Sequence, residues 1–191
     1  PATSVSISLS SELPRIVFLN RSYWPDIEAT GQLLTDLCRG LSSDFDVHVV
    51  CGQPNSPEPN CPFLEVGAEF RDGVTVHRLN HRKFEKKNPF GRILNLLSFY
   101  FACGKYLKQS EMSADIVISE TDPFLLPIAG MRYADRIGAK HCIYLQDIYP
   151  DVAAAMNQLP RWFPQRLIRR LFHGIYRRAD RVVVLSRDME S

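Results

Sequence analysis

Arg15-Ile16-Val17-Phe18-Leu19-Asn20 is the stretch that decides the fold. Its apolar residues follow one another without a polar break and are mostly β-branched or aromatic. Such a run leaves no face for water, so it reads as a strand covered on both sides, the central strand of a parallel sheet. After a loop containing Pro25 and Gly31, the residues Leu33, Leu34, Leu37, Cys38 and Leu41 return to one side at the helical period. Asp26 or Thr30 is expected to cap that helix.

Further strands are expected outward from this point at Phe45–Cys51, Val74–Leu79, Asp115–Ser119, Cys142–Leu145 and Arg181–Leu185. Helical patterns separate most of them, at Phe90–Lys108, at Phe124–Ile137 after Pro123, and at Phe163–Arg178. The alternation predicts an α/β fold, a Rossmann-like doubly wound, mainly parallel sheet with helices on both faces. In that architecture ligands bind beyond the carboxyl ends of the strands, which points to the loops after Leu19, Ser119 and Leu145. Gly52 to Gly73 holds Pro54, Pro57, Pro59 and Pro62 without a period and reads as one long irregular connection.

A chain of 191 residues that is 45% apolar suits one core. Residues 1–13 read as a flexible lead-in and 14–191 as one domain. Ser186 to Ser191 reads as a helix start that stops, so a second half is expected beyond it. Lysine and arginine number 23 against 21 acids, and a net charge of +2 does not attract nucleic acid. The cysteines Cys38, Cys51, Cys61, Cys103 and Cys142 form no C-x-x-C pair, which argues against a disulfide framework or a zinc site and for a reducing, cytoplasmic setting. No secretory leader is expected. The longest apolar stretch, Phe90 to Leu107, is interrupted by Arg92, Asn95, Ser98 and Lys105 and does not read as a membrane span.

The chemistry concentrates in three loops. Asn20 to Gly31 places backbone amides at a helix start, where sugar hydroxyls or an anion could sit near Asp26, Thr30 and Gly31. The plainer reading is a capped connection with Trp24 packed on the core. In Ser119-Glu120-Thr121-Asp122-Pro123 either acid could hold a sugar hydroxyl, with Glu120 the better candidate because Asp122, before a proline at a helix start, also reads as a helix cap. In the third loop an apolar strand ends in Gln146, Asp147 and Tyr149. There a carboxylate can orient an acceptor hydroxyl or take its proton, and a tyrosine can stack on a sugar ring. Asp147 could instead serve backbone amides.

His81 to Lys87 forms one basic region and the last helix another. On that helix Arg166, Arg169, Arg170, His173 and Arg177 gather opposite an apolar side. They form either a solvated face or a surface for anionic headgroups. His48 and His77 fall inside strands and His81, His141 and His173 lie far apart, so no metal ligand set is seen. G-x-G-x-x-G and G-x-S-x-G are missing, which argues against a dehydrogenase and an α/β-hydrolase.

Three segments, Arg15 to Asp26, Leu145 to Asp151 and Arg178 to Met189, together resemble the amino-terminal domain of retaining GT-B glycosyltransferases that build bacterial surface polysaccharides, of colanic acid and capsule type. The resemblance implies metal-independent, cofactor-free transfer of a hexosyl unit with retention. The acceptor, a sugar or lipid-linked sugar, would lie on this half and the nucleotide-sugar donor on a second half, without which this chain would be inactive. Gln146 and Asp147 match a loop where relatives carry His followed by Asp, which makes Asp147 the expected polar anchor. The enzyme would work in the cytoplasm, at or near the inner face of the cell membrane. Two other readings are a docking module without catalysis, using the basic helix and Phe84 to Tyr106, and a GT-B-type epimerase.

Overall fold

The computed structural model describes residues 13–54, 64–82, 89–146 and 165–187. The strands are β1 (Arg15–Leu19), β2 (Asp46–Cys51), β3 (Gly67–Arg71), β4 (Val74–Arg78), β5 (Ile116–Glu120), β6 (Lys140–Leu145) and β7 (Arg181–Val184). They form one sheet in the order β3-β4-β2-β1-β5-β6-β7, parallel throughout except for β3. The helices are α1 (Ala29–Leu41), α2 (Pro89–Gln109), α3 (Leu126–Ile137) and α4 (Gln165–Arg178).

β1 sits at the centre because both of its faces are needed. Val17 and Leu19 pack with Phe99, Cys103, Leu126 and Tyr133 under α2 and α3. Ile16 and Phe18 pack with Leu34, Cys38, Val47 and Val76 under α1. A smaller cluster joins Ile143 of β6 to Phe172 and Ile175 of α4, with Phe124, Leu125 and Ile128 packed against it. α2, α3 and α4 therefore cover one face of the sheet, and α1 covers the other.

Three details differ from the sequence reading. β3 lies inside the stretch expected to be irregular. It pairs antiparallel with β4 through Asp72 and Gly73, whose φ angles of 51° and 81° suit a tight hairpin turn. α1 is rotated: it buries Gly31, Leu34, Thr35 and Cys38, and leaves Leu33 and Leu37 in solvent. Its N-cap is Glu28, which makes no side-chain cap bond, so neither Asp26 nor Thr30 serves there.

Gly130 sets how closely α3 can approach the sheet. A Cβ at this position would stand 1.9 Å from Ser119 Oγ and 3.0 Å from His141 Nε2, two atoms that themselves hydrogen-bond at 3.0 Å. Gly174 in α4 has nothing within 4 Å of the equivalent point. Gly130→Ala should therefore lower stability by about 1–3 kcal/mol through overpacking, and Gly174→Ala should raise it by about 0.5–1 kcal/mol through helix propensity. Urea unfolding midpoints moving in opposite directions check this contrast.

Candidate functional site

The chain leaves β1 toward β2 over one face of the sheet and later enters β5 on the other side of β1, so the loops after β1 and β5 part in opposite directions. A crevice at the carboxyl ends of the strands is the consequence. Arg21 and Asp122 tie its two lips together. The guanidinium gives two bonds to the carboxylate, Nε to Oδ1 at 3.1 Å and Nη2 to Oδ2 at 2.9 Å. Arg21 N also donates to Asp122 O at 2.9 Å, and the Ser22 hydroxyl reaches Asp122 Oδ2 at 3.3 Å. Asp122 is thus an ion-pair partner and not the expected helix cap, since α3 begins only after Leu125.

Three polar side chains end adjacent strands on the α1 side of the crevice. Phe18 and Ile118 face α1, and strand alternation carries Asn20 and Glu120 to the same side. Ile143 faces α4, which puts Gln146 with them. Asn20 and Glu120 are fully buried, and Gln146 is half-buried. Asn20 Nδ2 donates to Ser22 O at 2.8 Å, but its Oδ1 has no hydrogen-bond partner. Both carboxylate oxygens of Glu120 and Gln146 Nε2 are also buried without a hydrogen-bond partner. Native structures rarely leave such atoms unpaired, so three such residues side by side at the strand ends make this the candidate site. Burial first, and the neighbouring Asp122 second, push the Glu120 carboxyl up to about 8. At neutral pH it keeps its proton and can donate a hydrogen bond.

The floor of the crevice is held by Arg78, which the sequence reading left as an ordinary strand residue. It is 1% exposed and donates to Gly52 O at 3.1 Å, Trp24 O at 2.9 Å and Glu69 Oε1 at 3.2 Å. The signal was present: Val74, Val76 and Arg78 alternate in register, so a strand that buries the two valines buries the arginine too. Trp24 is packed against the α1 cluster, as its plainer reading had it, with Arg71 stacked 3.6 Å above its ring.

Of the other residues singled out from the sequence, Asp26 is buried and its backbone N donates to Tyr23 O at 2.9 Å. A Cβ on Gly31 would lie 3.1 Å from Asp26 Cβ, so close packing of loop on helix already accounts for that glycine. Thr30 is half-buried in the first turn of α1. Asp147, Tyr149 and the side chain of Arg166 lie outside the described residues. Arg169 and Arg170 are exposed on α4, across the sheet from the polar row.

His48 and His77 do meet, Nδ1 to Nε2 at 2.9 Å, and His77 continues to the Tyr106 hydroxyl at 2.8 Å. Burial, then His48, brings His77 down to about 4, and no group of three metal-binding side chains occurs among the described residues. Cys38, Cys51, Cys103 and Cys142 are free thiols.

The sequence pattern of the Glycosyl transferase 4-like domain matches residues 29–191. A stretch of 80 residues is 40% identical to the probable glycosyltransferase WbjE of Pseudomonas aeruginosa, covering 40% of this chain and 20% of that protein. The fold superposes on a sucrose-phosphate synthase from Thermosynechococcus elongatus with a TM-score of 0.60 and 14% identity, over 93% of this chain and 43% of the other. Each match spans less than half of the relative's own length.

The raised pKa of Glu120 has a measurable sign. The unfolded chain releases this proton near its ordinary value of 4.5, whereas the folded chain holds it to about 8. The Glu120 contribution to stability is therefore fully present at low pH and falls as pH rises between those values. Relative to wild type, Glu120→Gln should gain stability between pH 5 and pH 8.5, on the order of a few kcal/mol, in paired urea titrations. A wild-type-minus-variant difference that stays flat with pH would show the carboxyl to be solvated.

Proposed function

We propose that this chain, which belongs to the Glycosyl transferase 4-like family, supplies the acceptor side of the cleft for transfer of a hexosyl unit from a nucleotide-sugar with retention of configuration. The transfer serves cell-surface polysaccharide synthesis, and the acceptor is a sugar or lipid-linked sugar presented from the cytoplasm. The donor site belongs to a second half outside this chain, so this half alone is inactive. The readings of polysaccharide and of retention rest on the motifs at Arg15 to Asp26, Leu145 to Asp151 and Arg178 to Met189.

One observation carries the acceptor reading, the row of orphaned polar atoms on Asn20, Glu120 and Gln146. A sugar hydroxyl both donates and accepts, which is what the row requires. Asn20 Oδ1 needs a donor, Gln146 Nε2 needs an acceptor, and the protonated Glu120 can give one bond and take another. Gln146 is the member of the row that is only half-buried. Asp147, next to it in sequence, is the carboxylate we assign to orienting the reacting hydroxyl. Holding that hydroxyl beside the donor is the main service of this half, since fixed proximity can lower a barrier by roughly 7–11 kcal/mol.

The full-length protein, offered a panel of nucleotide-sugars with soluble and lipid-linked acceptors, should release nucleoside diphosphate and form a glycosylated product. Glu120→Leu, close in size and apolar, should lower kcat/KM for the acceptor roughly tenfold, the worth of one good hydrogen bond. Its urea midpoint should hold or rise, because an orphaned buried carboxyl costs about 1–3 kcal/mol. A folded full-length protein inert toward every donor and acceptor, or a Glu120→Leu variant with undiminished turnover, would sink the assignment.

A further inference from the structure

On the sheet face away from the polar row, α2 and α3 border a cavity of about 490 Å³. Tyr100, Leu107, Ala129 and Tyr133 give it an apolar floor, and Lys105, Lys108 and Arg132 stand at its rim. Arg136 also lines it, but its guanidinium is occupied by the carbonyls of Leu107, Lys108 and Ser110. None of the three rim cations has a carboxylate within ion-pair distance among the described residues, and the one acid of α3, Asp135, is paired with Arg178 at 3.0 Å.

The outward stripe of α2 continues this surface. Phe99, Cys103 and Leu107 turn inward, so Leu94, Phe101, Lys105 and Lys108 fall together on the opposite side of the helix. Phe101 is 67% exposed and Leu94 50% exposed. Phe101 touches the edge of the Tyr100 ring at a centroid distance of 5.4 Å. Two large apolar side chains in water beside three uncompensated cations are costly on a surface that meets only solvent.

We propose that this α2–α3 face docks on a lipid bilayer bearing anionic headgroups, with Phe101 and Leu94 entering the acyl boundary and Lys105, Lys108 and Arg132 holding phosphates at the groove. Charge complementarity selects the occupant, because apolar insertion flanked by cations is the pattern that binds anionic interfaces. α4 offers the contrast. Its outward face carries Arg169, Arg170, His173 and Arg177, with Leu171, 52% exposed, at its flank and no exposed aromatic ring among its described residues. No helix among the described residues is long and apolar enough to cross a membrane, and the contact proposed lies along the surface. α2 starts near the carboxyl ends of the strands, so docking would set the crevice beside the bilayer. Only that last benefit rests on the transfer reading; the binding does not.

Co-sedimentation of the full-length protein with vesicles tests the proposal. Binding is expected to vesicles of phosphatidylglycerol and phosphatidylcholine in equal parts, and only weakly to phosphatidylcholine alone. At about 1 kcal/mol per cation, Lys105→Gln with Lys108→Gln should lower the partition coefficient roughly tenfold to thirtyfold. Phe101→Ser should lower it roughly tenfold, as loss of buried apolar area requires. Arg169→Gln with Arg170→Gln should leave it within roughly threefold. All these positions are exposed, and circular dichroism confirms that the variants fold. The proposal is overturned if no vesicle binds, if neutral vesicles bind equally well, or if the α4 pair and not the α2 pair abolishes binding. It is equally overturned if Phe101→Ser converts a dimer to a monomer without changing vesicle binding. Transfer to a short water-soluble acceptor should survive all the α2 variants, which separates failure of docking from failure of the transfer reading.

Discussion

The divergence of the chain between β1 and β5 is the constraint on which the site depends. Right-handed crossovers send α1 over one face of the sheet and α3 over the other, so no helix can close the carboxyl ends of both strands. What closes them is the Arg21 to Asp122 pair, with the Arg21 N to Asp122 O bond carrying the β1–β5 ladder one step beyond the sheet. The ion pair is bidentate and mostly shielded, its side chains 14% and 23% exposed. Fork geometry and partial burial strengthen such a bond, while desolvation of the two ions offsets much of the gain. Its main effect is geometric: two loops that would otherwise move apart are kept in one register. Arg78 does similar work below them, joining the Gly52 and Trp24 carbonyls from two different loops.

Within the crevice so held, the polar row runs against stability. Each unpaired buried group costs about 1–3 kcal/mol against a net stability of roughly 5–15 kcal/mol for a domain of ordinary size. Such a row persists only where the surrounding core is well packed, and the covered faces of β1, β2 and β5 supply that packing. Burial also decides the protonation of Glu120. A solvated carboxylate at this place would be charged and could only accept. The buried one is a neutral donor as well, better matched to hydroxyls than to cations.

The central strands were legible because coverage on both faces demands near-continuous apolar runs, and Ile16 to Leu19, or Val47 to Cys51 with only His48 between, can hardly be anything else. β3 was not, because an edge strand exposed on both faces keeps Gly67, Glu69 and Arg71 without any apolar pattern. Only Asp72-Gly73, a hairpin dipeptide, announced it. The period of α1 was readable but not its rotation, which follows from the contact of Gly31 with Asp26 and therefore from tertiary packing. Glu120 and Gln146 were singled out from their places after strands, and the structure sets them beside Asn20. Asn20 looked like the last residue of β1, and its orphaned oxygen appears only when three strand ends are seen side by side. Asp122 was misread because its partner stands 101 residues away, whereas the cap signal was local.

The groove between α2 and α3 has a similar origin in a long-range contact. Arg136 reaches the terminal carbonyls of α2, acceptors that no intrahelical donor can satisfy, and its guanidinium lies 5.3 Å from the Tyr133 ring centre. That pins the tail of α3 to the tail of α2. Gly104 and Ala129, both lining the cavity, contribute too little bulk to fill the space the two helices enclose, so the gap stays open. α2 is apolar nearly all round, a pattern usual for a helix buried on every side. Yet it covers the sheet with one face only and leaves Phe101 in water. Packing inside the molecule explains Phe99, Cys103 and Leu107 in full. It does not explain Phe101, which stands in water beside Lys105 and Lys108 and which the proposed docking on an anionic bilayer would cover.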